Sequence, residues 1–269
     1  MSNRKGILER LAEGVVLGDG GYLLELEKRG YVQAGPFTPE VSLTQPEALL
    51  ELHREFLRAG AEVLQTLTFY ASEDKLNTVG LGGKVDDINR AAVKIARQAA
   101  ADSDALVAGN ISLTWVYEPK QPKSADRVRA LFDRQLEVMM EDGVDFVIGE
   151  TYSWLGEALI AVESIKKAGL PAMVTMSFEQ DPKPYEGHSP AECAKRLADA
   201  GCDIVGINCL RNPAYTLPLM KEVRAAVSGF VGCQPTAYRT SADAVDFTAL
   251  PSFPVGLDPL QLTRAEMAD

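Results

Sequence analysis

The feature of this sequence that most restricts its fold is a regular alternation of short apolar runs with longer amphipathic segments. The short runs are rich in Val, Ile, Leu and Ala, which is typical of strands buried on both faces of a parallel sheet. Apolar residues three and four positions apart in the longer segments predict helices that connect these strands. We predict seven strands, over residues 15–19, 62–68, 105–111, 145–151, 172–178, 203–209 and 230–234.

Several of the predicted helices end in an Ala-Gly or Asp-Gly step. These steps are Ala59-Gly60, Asp142-Gly143, Ala168-Gly169 and Ala200-Gly201. Glycine adopts the left-handed conformation that ends a helix, so each step predicts the point where a helix ends before the next strand. The predicted helices cover residues 49–57, 87–101, 125–141, 154–168, 190–200 and 215–227.

This pattern predicts an α/β protein of the (β/α)8 TIM-type barrel class, with residues 1–269 as a single barrel domain, a length that fits one such barrel. After residues 253–259 the chain begins a further helix, so we expect the last β/α unit to be missing and the domain to be C-terminally incomplete. Polar residues at the carboxyl ends of the strands favour a barrel over a doubly wound sheet, because a barrel gathers these ends at the rim where active sites form. They are Asp19, Thr66, Asn110, Glu150, Asn208, Cys209 and Gln234.

Charge and cysteine content restrict the partners and the compartment. The chain has 38 acidic and 27 basic residues and a net charge of −11, which repels nucleic acids and anionic lipid surfaces. No apolar run approaches the roughly 18 residues that span a bilayer, and the N-terminal segment lacks the apolar core of a secretory signal. Four scattered cysteines are too few for a disulfide scaffold. We therefore expect a cytoplasmic protein with no nucleic-acid or membrane partner.

Two carboxylates at predicted strand ends are candidates for binding a substrate ammonium group. Asp19 lies in a Gly-Asp-Gly-Gly run after the first strand, and Glu150 ends the fourth. The glycine run lacks the GxGxxG spacing of a dinucleotide-binding motif. A tight turn would explain the glycines but not the aspartate. Ordinary turn chemistry remains the alternative for either carboxylate taken alone.

Other kinds of catalytic site are poorly supported. The two histidines, His53 in a predicted helix and His188 in a loop, do not form a metal cluster, and neither accompanies a nucleophile-elbow motif. No lysine ends a predicted strand, which argues against a Schiff-base enzyme. Cys209 is the one cysteine well placed at the rim. Cys202 opens the same strand about 23 Å away, too far to share a metal ion.

Six segments of the sequence are specific enough to indicate a family: GDGG (18–21), LEKRGY (26–31), HREFLRAG (53–60), TFYASEDKL (68–76), DALVAG (104–109) and GINC (206–209). Together they resemble the betaine–homocysteine S-methyltransferases of the homocysteine S-methyltransferase family. The resemblance extends from about residue 6 to residue 259. It implies a (β/α)8 barrel, zinc, homocysteine as the methyl acceptor and a quaternary ammonium donor.

The resemblance also implies roles for individual positions. Asp19 and Glu150 would hold the amino group of homocysteine, and Gly20 and Thr66 would line the same pocket. Tyr70 corresponds to an aromatic residue of the donor pocket.

Some positions depart from the family pattern. Phe37 stands where the family commonly has tryptophan and Thr151 where a tyrosine is usual, so we expect altered donor binding, with Tyr152 replacing part of the lost ring. Cys209 matches the first of three zinc thiolates. The other two belong to a Gly-Gly-Cys-Cys-Gly segment that this sequence does not contain. The chain is then either a piece of a longer enzyme, which we favour, or a natural variant without the usual metal site. We expect it to bind zinc weakly and to have little activity by itself.

The function implied by the resemblance is zinc-dependent methyl transfer from a glycine betaine-like donor to the thiol of homocysteine, giving methionine. Two alternatives remain open. One is a sulfonium donor such as S-methylmethionine or dimethylsulfoniopropionate. The other is a metal-free small-molecule-binding protein that keeps Asp19 and Glu150 but has lost catalysis. The expected partners are small molecules and a second copy of the chain in a homo-oligomer.

Overall fold

Six of the seven predicted strands form in the computed structural model, which describes residues 4–33, 35, 38–183, 185–254 and 256–268. Within these residues the strands lie in one sheet in chain order, and the pairs β1–β2, β4–β5 and β5–β6 are parallel. The α/β class with a parallel sheet is therefore confirmed, whereas a complete eight-stranded barrel stays a prediction. The strands are β1 (Val63–Gln65), β2 (Leu106–Ser112), β3 (Phe146–Tyr152), β4 (Ala172–Met176), β5 (Ile204–Asn208) and β6 (Phe230–Gln234).

The helices alternate with the strands as the apolar periodicity predicts. At the four predicted helix ends, Gly60, Gly143, Gly169 and Gly201 have φ values of 104°, 79°, 79° and 92°. This is the left-handed region that glycine occupies at low cost. The helices are α1 (Ile7–Glu13), α2 (Tyr22–Lys28), α3 (Val41–Thr44), α4 (Pro46–Arg58), α5 (Glu73–Asn77), α6 (Val85–Ala100), α7 (Pro122–Asp142), α8 (Leu155–Lys167), α9 (Pro190–Asp199), α10 (Pro213–Ala226) and α11 (Arg264–Ala268).

The strand predicted over residues 15–19 does not form, so that prediction was wrong. Val15 is 95% exposed, and the backbone of the segment bonds through Leu17 to Glu62, the residue before β1. The carbonyl of Leu17 accepts a hydrogen bond from the Glu62 amide at 2.8 Å, and its amide donates to Glu62 Oε2 at 3.0 Å. One backbone bond does not make a ladder, and the neighbouring glycines increase the entropy lost on ordering an extended chain.

The described chain divides into two compact units. Unit 1 comprises Met1–Ile148 and Glu163–Ala172, and unit 2 comprises Gly149–Val162 and Met173–Asp269. In unit 1, α6 packs between α4 and α7 and covers β2 with its buried apolar face. Asp19 and the end of β1 belong to this unit.

Unit 2 holds the second half of β3 together with β5, β6, α9 and α10. Here β5 and β6 approach closely through glycine, because a Cβ on Gly206 would lie 1.9 Å from the carbonyl oxygen of Gly232. Only glycine fits at such a distance. Glu150 and Cys209 belong to this unit.

Among the residues that the structure describes, none of the helices combines the length and apolarity needed to cross a bilayer. Phe37, the predicted donor-pocket residue, lies outside the described residues.

Candidate active site

Asp19 lies in unit 1, and its carboxylate accepts hydrogen bonds from Gln65 and Tyr22. Its Oδ2 atom accepts a bond from the Gln65 amide at 2.5 Å and another from the phenol of Tyr22. Gln65 ends β1 and Tyr22 begins α2, so the two elements fix the carboxylate between them. Burial and the negative charge of Asp19 raise the pKa of Tyr22 well above its usual value, so the phenol keeps its proton and donates it.

Gly20 is needed where it stands because a ring lies against it. A Cβ at this position would come within 2.6 Å of Cε1 of Phe56 on α4. At neighbouring Gly18 no atom lies within 4 Å of the corresponding position. The glycine after Asp19 therefore allows α4 to pack directly beneath the turn.

Thr66 is buried beside the end of β1, and its hydroxyl bonds within the protein. Thr66 Oγ1 accepts a hydrogen bond from the Asn110 amide at 3.1 Å and lies 3.0 Å from Thr68 Oγ1. Thr68 in turn donates to the Asn110 carbonyl at 2.7 Å. The Thr66 amide still donates to the Ala108 carbonyl of β2 at 2.9 Å, and beyond it these hydroxyl bonds take over from backbone pairing. A pocket-lining role for Thr66 stays a prediction.

Tyr70 belongs to an aromatic cluster that surrounds a buried lysine. Lys75 Nζ lies 4.9, 5.3 and 5.9 Å from the ring centroids of Phe69, Tyr70 and Trp115. The ammonium donates to the Phe69 carbonyl at 3.1 Å and to Ser112 Oγ at 2.8 Å. Sequence reasoning did not identify Lys75 or Trp115. The lysine in TFYASEDKL and the tryptophan just after β2 were the available signals.

In unit 2, Glu150 is oriented by the side-chain amide of Asn208. Asn208 Nδ2 donates to Glu150 Oε2 at 3.1 Å and to Thr151 Oγ1 at 2.7 Å. Its Oδ1 accepts from the Thr151 amide at 2.9 Å and from Thr175 Oγ1 at 2.8 Å. Asn208 was predicted only as a polar strand end. In the structure it connects the ends of β3, β4 and β5.

The backbone is left-handed at the same strand ends. Thr151 has a φ of 65°, and Cys209 and Leu210 have values of 58° and 54°. Such conformations cost roughly 1–3 kcal/mol each outside glycine and concentrate at functional sites. A β-branched residue like Thr151 adopts them least readily. The two hydrogen bonds between Thr151 and Asn208, one donated by each residue, help to maintain this conformation.

Cys209 is half-buried just after β5, and its amide donates to the Gln234 carbonyl at 2.9 Å. Burial raises the pKa of its thiol to about 11, and the negative charge of Glu150 adds to the increase. The amide of Leu210 opposes this rise only in part. The thiol therefore stays protonated at neutral pH, and a shared site for Glu150 and Cys209 stays a prediction.

The donor set around Cys209 does not fit a three-ligand zinc centre. Across the described ranges, the structure contains no group of three His, Cys, Asp or Glu side chains that could hold a metal ion. Cys233 lies on β6 opposite Ile207 and is exposed. A catalytic zinc site uses three protein ligands, and Cys209 supplies one.

Tyr152 lies at the end of β3, fully buried in unit 2. A Cβ on Gly149 would lie 3.2 Å from its hydroxyl oxygen. Burial, with the charges of Glu157 and Glu150, raises the pKa of the phenol well above its usual value. A role for this ring in donor binding stays a prediction.

Arg211, which sequence reasoning missed, organises the segment after β4. Its Nε donates to the Phe178 carbonyl at 2.9 Å, and its terminal nitrogen donates to the carbonyls of Glu179 and Gln180. This segment borders an open pocket of about 280 Å³ in unit 2. Ser153, Ser177, Glu179, Asp181, Lys183, Tyr185 and Gly187 line the pocket.

Comparison with known proteins places these features in a family. The family model described as Homocysteine S-methyltransferase matches residues 16–252. Betaine--homocysteine S-methyltransferase 1 of Mus musculus is 48% identical over 97% of this chain and 66% of its own length. The relative of that name from Sus scrofa is 47% identical over 97% of both chains. The chain thus spans about two thirds of the mouse relative and nearly all of the pig relative.

Solved structures agree on the fold. The homocysteine methyltransferase MmuM from Escherichia coli, in a metallated form, superposes with a TM-score of 0.68 at 20% identity. The match covers 88% of this chain and 96% of that one. From the match of the family model and the identity to these relatives, the chain belongs to the homocysteine S-methyltransferase family.

Proposed function

We propose that this chain binds homocysteine and serves methyl transfer from an onium donor, of the glycine betaine type, to the homocysteine thiol. Asp19 and Glu150 are the proposed anchors of the amino group. The observation that carries the proposal is that each carboxylate is held in a defined orientation by dedicated donors, Tyr22 and Gln65 for one and Asn208 for the other. The family match and the names of the relatives support the same substrate.

Charge is the basis of the proposed amino-group recognition. The homocysteine ammonium donates three hydrogen bonds, and carboxylates are its strongest acceptors in a protein. Hydrogen bonds to charged groups are worth about 1.5–3 kcal/mol, so each anchor should contribute about tenfold or more in affinity. A thiol without the amino group lacks this contribution.

Methyl transfer forms a bond between the homocysteine sulfur and the methyl carbon as the bond from that carbon to nitrogen breaks. The bonding electron pair stays on nitrogen, which becomes a neutral tertiary amine. The thiol proton leaves to solvent, because the thiolate is the effective nucleophile. The resemblance to the family implies that zinc activates the thiol. Among the described residues, Cys209 is the one ligand that the resemblance assigns to this zinc, so we assign no step to a metal.

Zinc binding is tested directly on the 269-residue chain. With one thiolate whose pKa is raised, we expect substoichiometric zinc in the purified protein. Stoichiometric zinc together with methionine formation that a chelator abolishes would contradict this expectation.

We propose that the ring of Tyr70 forms part of the donor pocket. A trimethylammonium group has no N–H to donate, so aromatic faces recognise it by cation–π attraction of about 0.5–2 kcal/mol per ring. A sulfonium group would be recognised in the same way. A methyl-transfer assay with glycine betaine, S-methylmethionine and dimethylsulfoniopropionate distinguishes these donors.

Binding without turnover is the second candidate, favoured by the protonated state of Cys209. Calorimetric titration separates the possibilities. Homocysteine should bind at least tenfold more tightly than 4-mercaptobutanoate, which has the thiol and carboxylate but no amine. Equal affinity for the two ligands would overturn the proposed function. Tight binding with no methionine formed from any donor would favour the binding protein.

A further inference from the structure

Behind Asp19 lies a chain of two buried side chains that the proposed reaction does not use. The Tyr22 hydroxyl bonds to Asp19 Oδ2 on one side and lies 2.7 Å from Nδ1 of His53 on the other. His53 is fully buried on α4, and its ring meets the Tyr22 ring edge-on at 4.9 Å between centroids. Phe56 packs against the same tyrosine at 5.0 Å.

The chemistry of these groups fixes where the protons lie. A carboxylate only accepts hydrogen bonds, so the single phenol proton of Tyr22 points to Asp19. The phenol oxygen must then accept from His53, which places a proton on Nδ1. Burial lowers the pKa of His53 to about 3, so the ring is neutral at physiological pH. Nε2 is therefore unprotonated.

The unprotonated nitrogen of His53, Nε2, lies in surroundings that are unusual for a hydrogen-bond acceptor. His53 Nε2 is buried and makes no hydrogen bond to any residue that the structure describes. A buried acceptor without a partner destabilises a fold, and an apolar side chain would fill the same place without that loss. The retained histidine therefore points to a use for its other nitrogen, the one that supports Tyr22.

We propose that Tyr22 and His53 are positioning residues that hold Asp19 in the orientation for binding a substrate amino group. This inference rests on the proposed function, in which Asp19 contacts the ammonium of an amino thiol. His53 aligns the phenol, the phenol holds Oδ2, and the carboxylate plane is fixed before the ligand arrives. The expected consequence is discrimination between an amino thiol and its desamino analogue.

The first test reads the proton positions without any ligand. Nitrogen-15 NMR of the imidazole rings in the full chain should show His53 as the neutral Nδ1–H tautomer, unchanged from pH 5 to 8. The His188→Gln variant assigns the signals, since the chain has two histidines. In Tyr22→Phe the Nδ1–H loses its acceptor, and the ring should shift toward the Nε2–H tautomer. An Nε2–H tautomer in the unaltered protein would overturn the relay.

The second test measures specificity. Tyr22→Phe keeps the ring and removes only the hydroxyl, and it should weaken homocysteine binding three- to tenfold while leaving 4-mercaptobutanoate unchanged. His53→Leu should have the same effect, and His53→Gln, whose amide can donate to the phenol, should restore part of the affinity. Tyr31→Phe on the exposed surface is the matched control.

The outcomes separate the two proposals. If the unaltered chain prefers homocysteine and Tyr22→Phe leaves that preference intact, the positioning role is wrong and the proposed function stands. Equal weakening of both ligands would show a general structural defect and would also overturn the positioning role. If the unaltered chain shows no preference, the proposed function fails, and the positioning role fails with it.

Discussion

The two candidate anchors are held by different means, each in its own unit. Asp19 in unit 1 receives a backbone amide and a phenol that is backed by a buried neutral histidine. Glu150 in unit 2 receives the side-chain amide of Asn208, and left-handed backbone at Thr151 and Cys209 accompanies it. Side chains packed behind the carboxylate support Asp19, whereas unusual main-chain geometry accompanies the support of Glu150. Substitutions near Asp19 and near Glu150 should therefore change the stability of the protein to different extents.

The largest effect is expected from breaking the unit 2 support. Asn208→Ala removes five hydrogen bonds and leaves polar groups of Thr151, Thr175 and Ser177 without this partner. We expect the free energy of unfolding to fall by about 3–4 kcal/mol. Chemical denaturation measures this change, and Asn77→Ala on the exposed end of α5 is the control. A loss below about 1 kcal/mol would show that Asn208 does not maintain these strand ends.

The second prediction concerns the Cys209 thiol. With a pKa near 11, its thiolate fraction at pH 8 is small, so alkylation by iodoacetamide should be about a hundredfold slower than for a free cysteine. The rate should rise with pH up to about 11. The Cys233→Ser background removes the exposed thiol. Glu150→Gln removes a negative charge, lowers the pKa and should speed alkylation. Rapid alkylation at pH 7 would contradict the raised pKa.

The third prediction tests the aromatic cluster of unit 1. Lys75→Met removes the hydrogen bonds to Phe69 and Ser112 and the cation near three rings, and it should lower the free energy of unfolding by about 2 kcal/mol. The fluorescence of Trp115 should change as well, because the charge near its ring is lost. Lys84→Met, on the surface, should leave both unchanged. Unaltered stability in Lys75→Met would mean that the ammonium does not organise the cluster.

The smallest effect is expected at the turn that carries Asp19. Gly20→Ala places a methyl group 2.6 Å from Phe56 Cε1, but the ring can shift, so a loss of about 1 kcal/mol is expected. Gly18→Ala, with open space around it, is the matched control and should be near neutral. Thermal unfolding of both variants measures the difference. Equal stability of the two variants would show that the Phe56 contact does not require glycine.

The regular elements could be predicted from apolar periodicity because burial imposes it on each element separately. The strand over residues 230–234 and helix α6 lie within two residues of the predicted bounds. Residues 15–19 failed because apolar content alone does not supply a hydrogen-bonding partner. Strand β1 is shorter than predicted because, after the backbone bond from Thr66 to Ala108, the hydroxyls of Thr66 and Thr68 bond to the main chain of Asn110.

The charged candidates for the site could be chosen from the sequence, whereas the side chains that support them could not, and the roles of the candidates stay predictions. Asp19 and Glu150 follow apolar runs, which is a local pattern. His53 looked like one more position on an amphipathic helix, because its partner Tyr22 is 31 residues away in sequence. The left-handed conformation of Thr151 was not predictable either, since the preference of threonine points the other way.

The most direct test of the account is calorimetric titration of homocysteine and 4-mercaptobutanoate into the unaltered chain, Asp19→Asn and Glu150→Gln. If both carboxylates bind the amino group, each substitution should lower the affinity for homocysteine about tenfold or more. The affinity for 4-mercaptobutanoate should stay within about twofold of its value in the unaltered chain. Undiminished homocysteine affinity in either variant, or equal losses for both ligands, would contradict the assignment of these carboxylates as amino-group anchors.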